Sequence, residues 1–270
     1  MPSTAAICTT CGTQYPLEQV EPAGCPICQD DRQYVRPQGQ QWTSLAQMQG
    51  KYANRFVPLA PSLTAIETAP AFAIEHRALL LQTEQGNVLW DCLVHLDDAT
   101  IALVKSLGGL KTIAISHPHF YTTMVEWSQA FDAPIYLHRA NQPWVMRPDS
   151  AIRFWDGETQ EILPGVTMVR CGGHFPGSSA LHWSSGPEGQ GALFTGDTIR
   201  IVSDHRFVSF MYSYPNLIPL DEQAVRHIVT AIEPFAFTRL YDGWDNILGD
   251  AKLVVQRSAE RYIAHVRGAV

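Results

Sequence analysis

Two histidines one residue apart, in His117-Pro118-His119, follow the apolar run Ile113-Ala114-Ile115-Ser116. At the end of an extended strand alternate side chains face the same way, so both imidazoles can converge on one ion. Two later segments also put ligand-type residues just beyond apolar runs. Cys171-Gly172-Gly173-His174-Phe175-Pro176-Gly177 presents an imidazole on a flexible turn, and Leu193-Phe194-Thr195-Gly196-Asp197 ends in a carboxylate. Three imidazoles and a carboxylate, each at a strand end, suit a catalytic metal site that keeps a position open for water or substrate. Zinc is the expected metal there, with iron as the other ion that such ligands accept.

A second ligand set stands at the start of the chain. Cys8-Thr9-Thr10-Cys11-Gly12 and Cys25-Pro26-Ile27-Cys28 are two knuckles separated by thirteen residues. Each offers two thiolates, and together they complete a tetrahedral all-thiolate site for a structural zinc. The knuckles resemble those of rubredoxins and zinc ribbons. So short a segment cannot bury enough apolar surface to fold alone, so metal binding is expected to stabilise it. Cys92 and Cys171 stand singly in apolar contexts and read as buried free thiols.

These residues need a scaffold, and the pattern around them supplies one. Leu63–Thr68, Ala78–Thr83 and Val88–Val94 are β-type runs, the last two separated by the turn signal Glu84-Gln85-Gly86-Asn87, and they predict an antiparallel meander. From Asp98 helix and strand alternate: a helix ending at Gly108-Gly109, a strand to Ser116, a helix over about 122–131, then the strand Pro134–His138. Trp127 and Phe131, at i and i+4, mark that helix's buried stripe. Strands return over 160–200, and helices at about 221–232 and 250–266 flank a strand ending in Leu240-Tyr241-Asp242-Gly243. The expected class is α+β: two mixed β-sheets flanked by helices, with a small N-terminal zinc ribbon. The expected division is a four-cysteine module over 1–35, a connecting arm over 36–61 and the main domain over 62–270.

Composition removes several functions. The 270 residues are 46% hydrophobic and 17% charged with a net charge of −7, so phosphate backbones and anionic membranes have no electrostatic claim on the chain. No run reaches the roughly 18 apolar residues of a membrane span, and the N-terminus lacks a signal-peptide pattern. A cytoplasmic protein acting on a small molecule is expected, with no nucleic-acid or membrane partner; oligomeric state is not encoded in any motif.

The order H-x-H, G-H-x-P-G, G-D resembles the metallo-β-lactamase superfamily over about residues 62–265, and Val88-Leu89-Trp90-Asp91 resembles that family's early strand ending in an aspartate beside the site. The resemblance implies an αββα sandwich with metal at the sheet edge, His117, His119 and His174 as ligands, and Asp197 at the position that usually bridges two metals. This chain also departs from the family. Where the family motif continues with Asp and His it has Tyr121 and Thr122, and where the family has a final histidine it has Asp242. Tyr and Thr are poor substitutes for a carboxylate and an imidazole, so one metal is expected. The resemblance then implies a hydrolase of an ester, lactone, thioester or amide, with Asp197 or Asp242 orienting or deprotonating water and Tyr121 donating to an oxyanion. The aromatic stretch after Asp197 would wall the substrate through His205, Arg206, Phe207, Tyr212 and Tyr214, with Arg206 pairing an anionic group. The alternatives are a mononuclear iron oxygenase of the persulfide dioxygenase type and a non-catalytic descendant that binds a metal or ligand.

Overall fold

A computed structural model describes residues 3–19 and 21–269, and its contacts divide the chain into two compact units. The first comprises residues up to Leu137 together with Gln142–Phe154, and the second comprises His138–Asn141 and Trp155 onward. The outermost residues of the sequence-based division, 1, 2 and 270, lie outside the described ones.

The first unit is built on a seven-stranded mixed sheet. Ala53–Ala60, Leu63–Ala69, Ala78–Thr83 and Gly86–Trp90 run antiparallel in sequence order, as the meander pattern predicts. Residues 53–60, placed by sequence in the connecting arm, therefore form an edge strand. Their Pro58 and polar Asn54 and Arg55 mask the strand pattern, and an edge position tolerates both features. The direction changes at Thr112–Ala114, which pairs parallel with Gly86–Trp90 and with Ile135–His138. Parallel neighbours need crossovers, and helices Asp98–Ser106 and Met124–Phe131 supply them. Asp97 caps the first by accepting from Thr100 N at 2.8 Å. Trp127 of the second is fully buried, and its indole N–H donates to Leu93 O at 2.9 Å.

The N-terminal segment belongs to the same unit. Ile7–Cys8 pairs antiparallel with Trp42–Thr43, and a single helical turn, Pro26–Gln29, carries the second cysteine pair.

The second unit holds a six-stranded sheet, in which Thr159–Leu163, Val166–Arg170, Ser179–Trp183 and Ala192–Phe194 are antiparallel neighbours. Arg239–Tyr241 then joins Ala192–Phe194 in parallel, reached through helix Glu222–Ile232. That helix buries Val225, Ile228 and Ile232, one stripe at helical spacing, into a core shared with Val254, Val255, Ala259 and Ile263 of helix Ala251–Val266. Both units are thus mixed sheets with helices, the α+β class expected. Among the described residues no helix is long and apolar enough to cross a membrane.

Candidate metal centres

The four N-terminal cysteines are buried, and one sulfur from each lies within 4.8 Å of the others. Cys8 Sγ is 3.5 Å from Cys28 Sγ, and Cys11 Sγ is 3.6 Å from Cys25 Sγ. A disulfide would bring a pair to about 2.05 Å, whereas four thiolates about 2.3 Å from a tetrahedral ion stand about 3.8 Å apart. The donor set therefore fits a metal, and all six cysteines are free. Crowding sets the thiols against one another: hydrogen bonds from Cys11 and Cys25 hold Cys8 far below the ordinary thiol range, while burial pushes Cys11 well above it. Backbone turns shape both knuckles, with Gly12 N donating to Cys8 O at 2.8 Å and Cys28 N to Cys25 O at 2.9 Å. Gln40 Nε2 adds a donor to Cys8 Sγ at 3.1 Å.

The first knuckle also holds part of the histidine motif. Gln14 N donates to Thr122 O at 3.1 Å. Its side-chain amide donates to Glu126 Oε1 at 3.1 Å, and Arg147 bonds both Gln14 Oε1 and Glu126. Gly12, at φ +82°, brings the knuckle so close that a Cβ there would stand 2.4 Å from Val94 Cγ2 and 3.4 Å from Thr122 Cγ2. Only glycine combines that backbone conformation with so close an approach.

The chain's candidate His/Asp metal-site residues are His117, His119, His174 and Asp197, all buried. His117 caps, and His119 lies within, the turn Pro118–Phe120 that follows strand Thr112–Ala114, and their ring centroids are 5.1 Å apart. The approach to His117 is fixed from behind. Asp91, at φ +61° beyond strand Gly86–Trp90, accepts from both the backbone N and the hydroxyl of Ser116 at 2.8 Å. The Ser116 oxygen lies 2.8 Å from His117 Nδ1. Because the serine proton goes to Asp91, Nδ1 must carry the proton in that contact, which leaves Nε2 as the lone-pair nitrogen.

His174 repeats this logic with different partners. Its Nδ1 lies 2.9 Å from Tyr212 O, a carbonyl that can only accept, so Nε2 again keeps the lone pair and stands 3.5 Å from Asp197 Oδ1. Two donors about 2.1 Å from a tetrahedral ion are about 3.4 Å apart. Gly173, at φ +73°, precedes this histidine, and a Cβ there would come within 2.8 Å of Leu220. Asp197 sits in a turn closed by Thr198 N on Thr195 O at 3.0 Å, and the Tyr214 hydroxyl donates to its carbonyl at 2.8 Å. Burial, with the Asp197 carboxylate adding to it, pushes the Tyr214 phenol above its ordinary range. Within each pair, His117 with His119 and His174 with Asp197, the ligand atoms lie within 4.8 Å.

The remaining residues singled out from sequence have diverse placements. Tyr121 is buried, its N donating to Pro118 O at 3.3 Å, and Thr122 is at φ +39° with its carbonyl held by Gln14. Asp242 is buried and accepts from Ile201 N, Trp244 N and Asp245 N at 2.7, 2.7 and 2.6 Å. Burial raises its pKa against the pull of those amides. Tyr212 packs on the core of the second unit and offers its carbonyl to His174. His205 and Arg206 are exposed: His205 lies 3.6 Å from Asp245, and Arg206 is paired with Asp204 at 2.9 Å. Phe207 is covered by the guanidinium groups of Arg257 and Arg261. Sequence reasoning passed over Ser116, whose signal was its place as the polar residue just before His117.

Comparison with known proteins places the chain in a family. The family model of the metallo-beta-lactamase superfamily matches residues 74–235. The "Uncharacterized protein YmaE" of Bacillus subtilis (strain 168) is 48% identical over 260 residues, covering 95% of this chain and 95% of its own. Among solved structures, VMB-1 at pH 5.5 aligns with a TM-score of 0.60 at 10% identity, over 79% of this chain and 98% of its own. TTHA1623 in a di-iron-bound form aligns at 0.53 and 21% identity, over 72% and 97%. The class B3 di-zinc enzyme LRA-12 from an Alaskan soil metagenome aligns at 0.51 and 14% identity, over 79% and 92%. At these identities the structural likeness is one of fold, and the matched sequence carries the rest: the chain belongs to the metallo-beta-lactamase superfamily.

Proposed function

We propose that this protein is a metal-dependent hydrolase of a small organic substrate bearing an ester, lactone, thioester or amide. His117, His119, His174 and Asp197 would hold a single zinc, and Cys8, Cys11, Cys25 and Cys28 a separate structural one. The observation that carries the reading is the shared anchoring of His117 and His174. Each imidazole is held through Nδ1 by an acceptor, so that Nε2 is the nitrogen presented. When bound there, a divalent metal supplies Lewis acidity and lowers the pKa of a coordinated water to about 7.

A single ion is supported by what surrounds the family's second-metal positions. The Thr122 carbonyl is engaged by Gln14, and the Asp242 carboxylate accepts from three backbone amides. Asp242 is thereby a loop staple, which leaves Asp197 as the carboxylate to receive a proton from the attacking water. Tyr121, buried in the turn after His119, would donate to a developing oxyanion. The four-cysteine module would serve as anchor, residues 36–52 as connector, and the main domain, with its edge strand Ala53–Ala60, as catalytic body. Six free cysteines suit a reducing, cytoplasmic setting.

Metal analysis of the purified chain tests this directly. Two zinc equivalents are expected, one of which is lost in His117→Ala together with about 10³-fold or more of ester hydrolysis. Three equivalents would refute the single-ion site. Iron with oxygen uptake on a thiol substrate would favour the oxygenase alternative, and an empty histidine site the non-catalytic one.

A further inference from the structure

Thr122 has a backbone conformation that its own side chain does not support. It stands three residues after His119, between the turn Pro118–Phe120 and helix Met124–Phe131, at φ +39°. A positive φ is an outlier for a β-branched residue and persists only where surrounding contacts impose it. The Thr122 hydroxyl is buried with no hydrogen-bond partner among the described residues, so the constraint comes from elsewhere. It comes from the first cysteine knuckle, where Gln14 N donates to Thr122 O at 3.1 Å. That amide is spare. In the bridge between Ile7 and Gln14 the bonds are Tyr15 N to Ala6 O at 2.9 Å and Cys8 N to Thr13 O at 3.0 Å, which leaves Gln14 N directed at Thr122. The Thr13 hydroxyl lies 3.3 Å from Cys11 Sγ, so one residue separates the clamp from a thiol contact. The helix beyond Thr122 is held too. Glu126 accepts from the Gln14 side chain at 3.1 Å, and the Thr123 hydroxyl donates to Leu93 O and Val94 O at 3.0 and 2.9 Å. Val94 shares a core with Ile7, the residue before Cys8.

We propose that Gln14 is a positioning residue for His119, and that through it the cysteine centre governs how tightly the histidine site holds its metal. The inference rests on the hydrolase reading for its catalytic consequence, whereas its binding step needs only the metal site. Four thiolates around one ion fix both knuckles, and a segment this short has too little apolar core to keep that shape without the ion. A fixed knuckle aims the Gln14 N–H at Thr122. When the ion leaves, the Thr122 carbonyl loses that bond and its φ relaxes toward the negative values a threonine prefers. The φ of Thr122 sets the angle between the turn bearing His119 and a helix fastened by Thr123 and Trp127, so relaxation swings the turn. His117 keeps its own support from Ser116 and Asp91, and the displacement falls on His119. A metal ligand works only when held to about 0.5 Å. Position 122, where the family motif has a histidine, thus gives its carbonyl to the cysteine knuckle instead of an imidazole to a second ion. The consequence is an order of filling: the thiolate centre first, then the histidine site at full affinity.

The test uses the full chain loaded with cobalt(II), because cobalt on soft thiolates absorbs by charge transfer and cobalt on nitrogen and oxygen does not, so the two centres are read separately. Gln14→Pro deletes the amide that reaches Thr122, and Gln14→Ala keeps it while removing the side-chain bonds. In Gln14→Pro the charge-transfer band should keep its intensity while cobalt affinity at the histidine site, read by chelator competition, falls about 5- to 10-fold. Gln14→Ala should lose less. Thr122→Gly supplies the rescue: glycine adopts positive φ without support, so adding Gln14→Pro to it should cost no more than about twofold. Unchanged affinity in Gln14→Pro, or an equal loss in the Thr122→Gly background, would overturn the clamp. Should the proline disturb the charge-transfer band, Cys25→Ser with and without Thr122→Gly makes the same comparison, and an equal loss in both backgrounds would again remove it. Ester turnover separates the two readings. These affinity changes without turnover in wild type would sink the hydrolase and keep the clamp, turnover with unchanged affinities would do the reverse, and a wild-type histidine site that takes no cobalt would remove both.

Discussion

The cysteine centre and the histidine residues solve different problems with different materials. All four thiols come from one stretch of 21 residues, 8 to 28, and touch each other at 3.5–3.6 Å. The imidazoles and carboxylate come from three separate strand ends and are held from behind by groups that are not themselves ligands: Ser116 and Asp91 for His117, the Tyr212 carbonyl for His174. A set closed by four thiolates has no position left for a substrate, so its worth lies in folding. A set of neutral nitrogens and one carboxylate depends on a fold formed without it. The first should fail by unfolding and the second by losing chemistry on an intact scaffold.

The largest effect expected from that contrast is at the cysteines. Cys25→Ser should cost one metal equivalent per chain and make the segment before residue 42 cleavable by protease, because without the ion too little apolar surface remains to order it. Activity should fall with it, since the first knuckle holds Thr122 through Gln14 and abuts Val94 through Gly12. Unchanged metal content and unchanged protease resistance would erase the distinction between the two centres.

Smaller and opposite in kind is Ser116→Ala. It removes the hydroxyl between Asp91 and His117 Nδ1, leaving the ring free to change tautomer or rotate. Loss of such an outer partner costs about 10- to 100-fold in metal affinity. Competition with a chelator should report that loss for one metal equivalent, while thermal stability changes little and the cysteine-bound equivalent is untouched. A matching loss at the cysteine centre would show that the two are coupled more tightly than the hydrogen bonds at Gln14 imply.

How much of this was legible in the sequence follows the same divide. Cysteine knuckles are local, so thirteen intervening residues and four thiols were enough to identify a metal site. The β-type runs Leu63–Thr68 and Ala78–Thr83 and the helix signals around Gly108 revealed the elements for the same reason. Strand Ala53–Ala60 escaped because its pairing with Leu63–Ala69, not its composition, makes it a strand. The stacking of Arg200 on Trp244 escaped because it depends on Asp242 accepting from the amide of Ile201, 41 residues away in sequence, as well as from those of Trp244 and Asp245. Arg206 drew notice because charge is visible in a sequence, whereas its partner, Asp204, is not recognisable as one until the loop is folded.

One further histidine marks where the comparison ends. His182 has an anchored ring like His174: its Nε2 lies 2.8 Å from Ala236 O, and it packs 4.9 Å from the Phe235 ring. It nevertheless belongs to neither metal-binding group. Burial holds its pKa below the ordinary histidine value, with the Ala236 carbonyl opposing. The unfolded chain therefore binds the proton more readily than the folded one, so this residue's contribution to stability is intact above the unfolded pKa, about 6.5, and is lost as pH falls from there through the folded value. Wild-type melting temperature should accordingly drop as pH is lowered from about 7.5 to 5, and His182→Gln should flatten part of that slope without altering metal content. A slope unchanged by His182→Gln would place the acid sensitivity on other groups. A metal equivalent lost with it would mean that carbonyl anchoring alone, without converging partners, is enough to make a histidine a ligand in this fold.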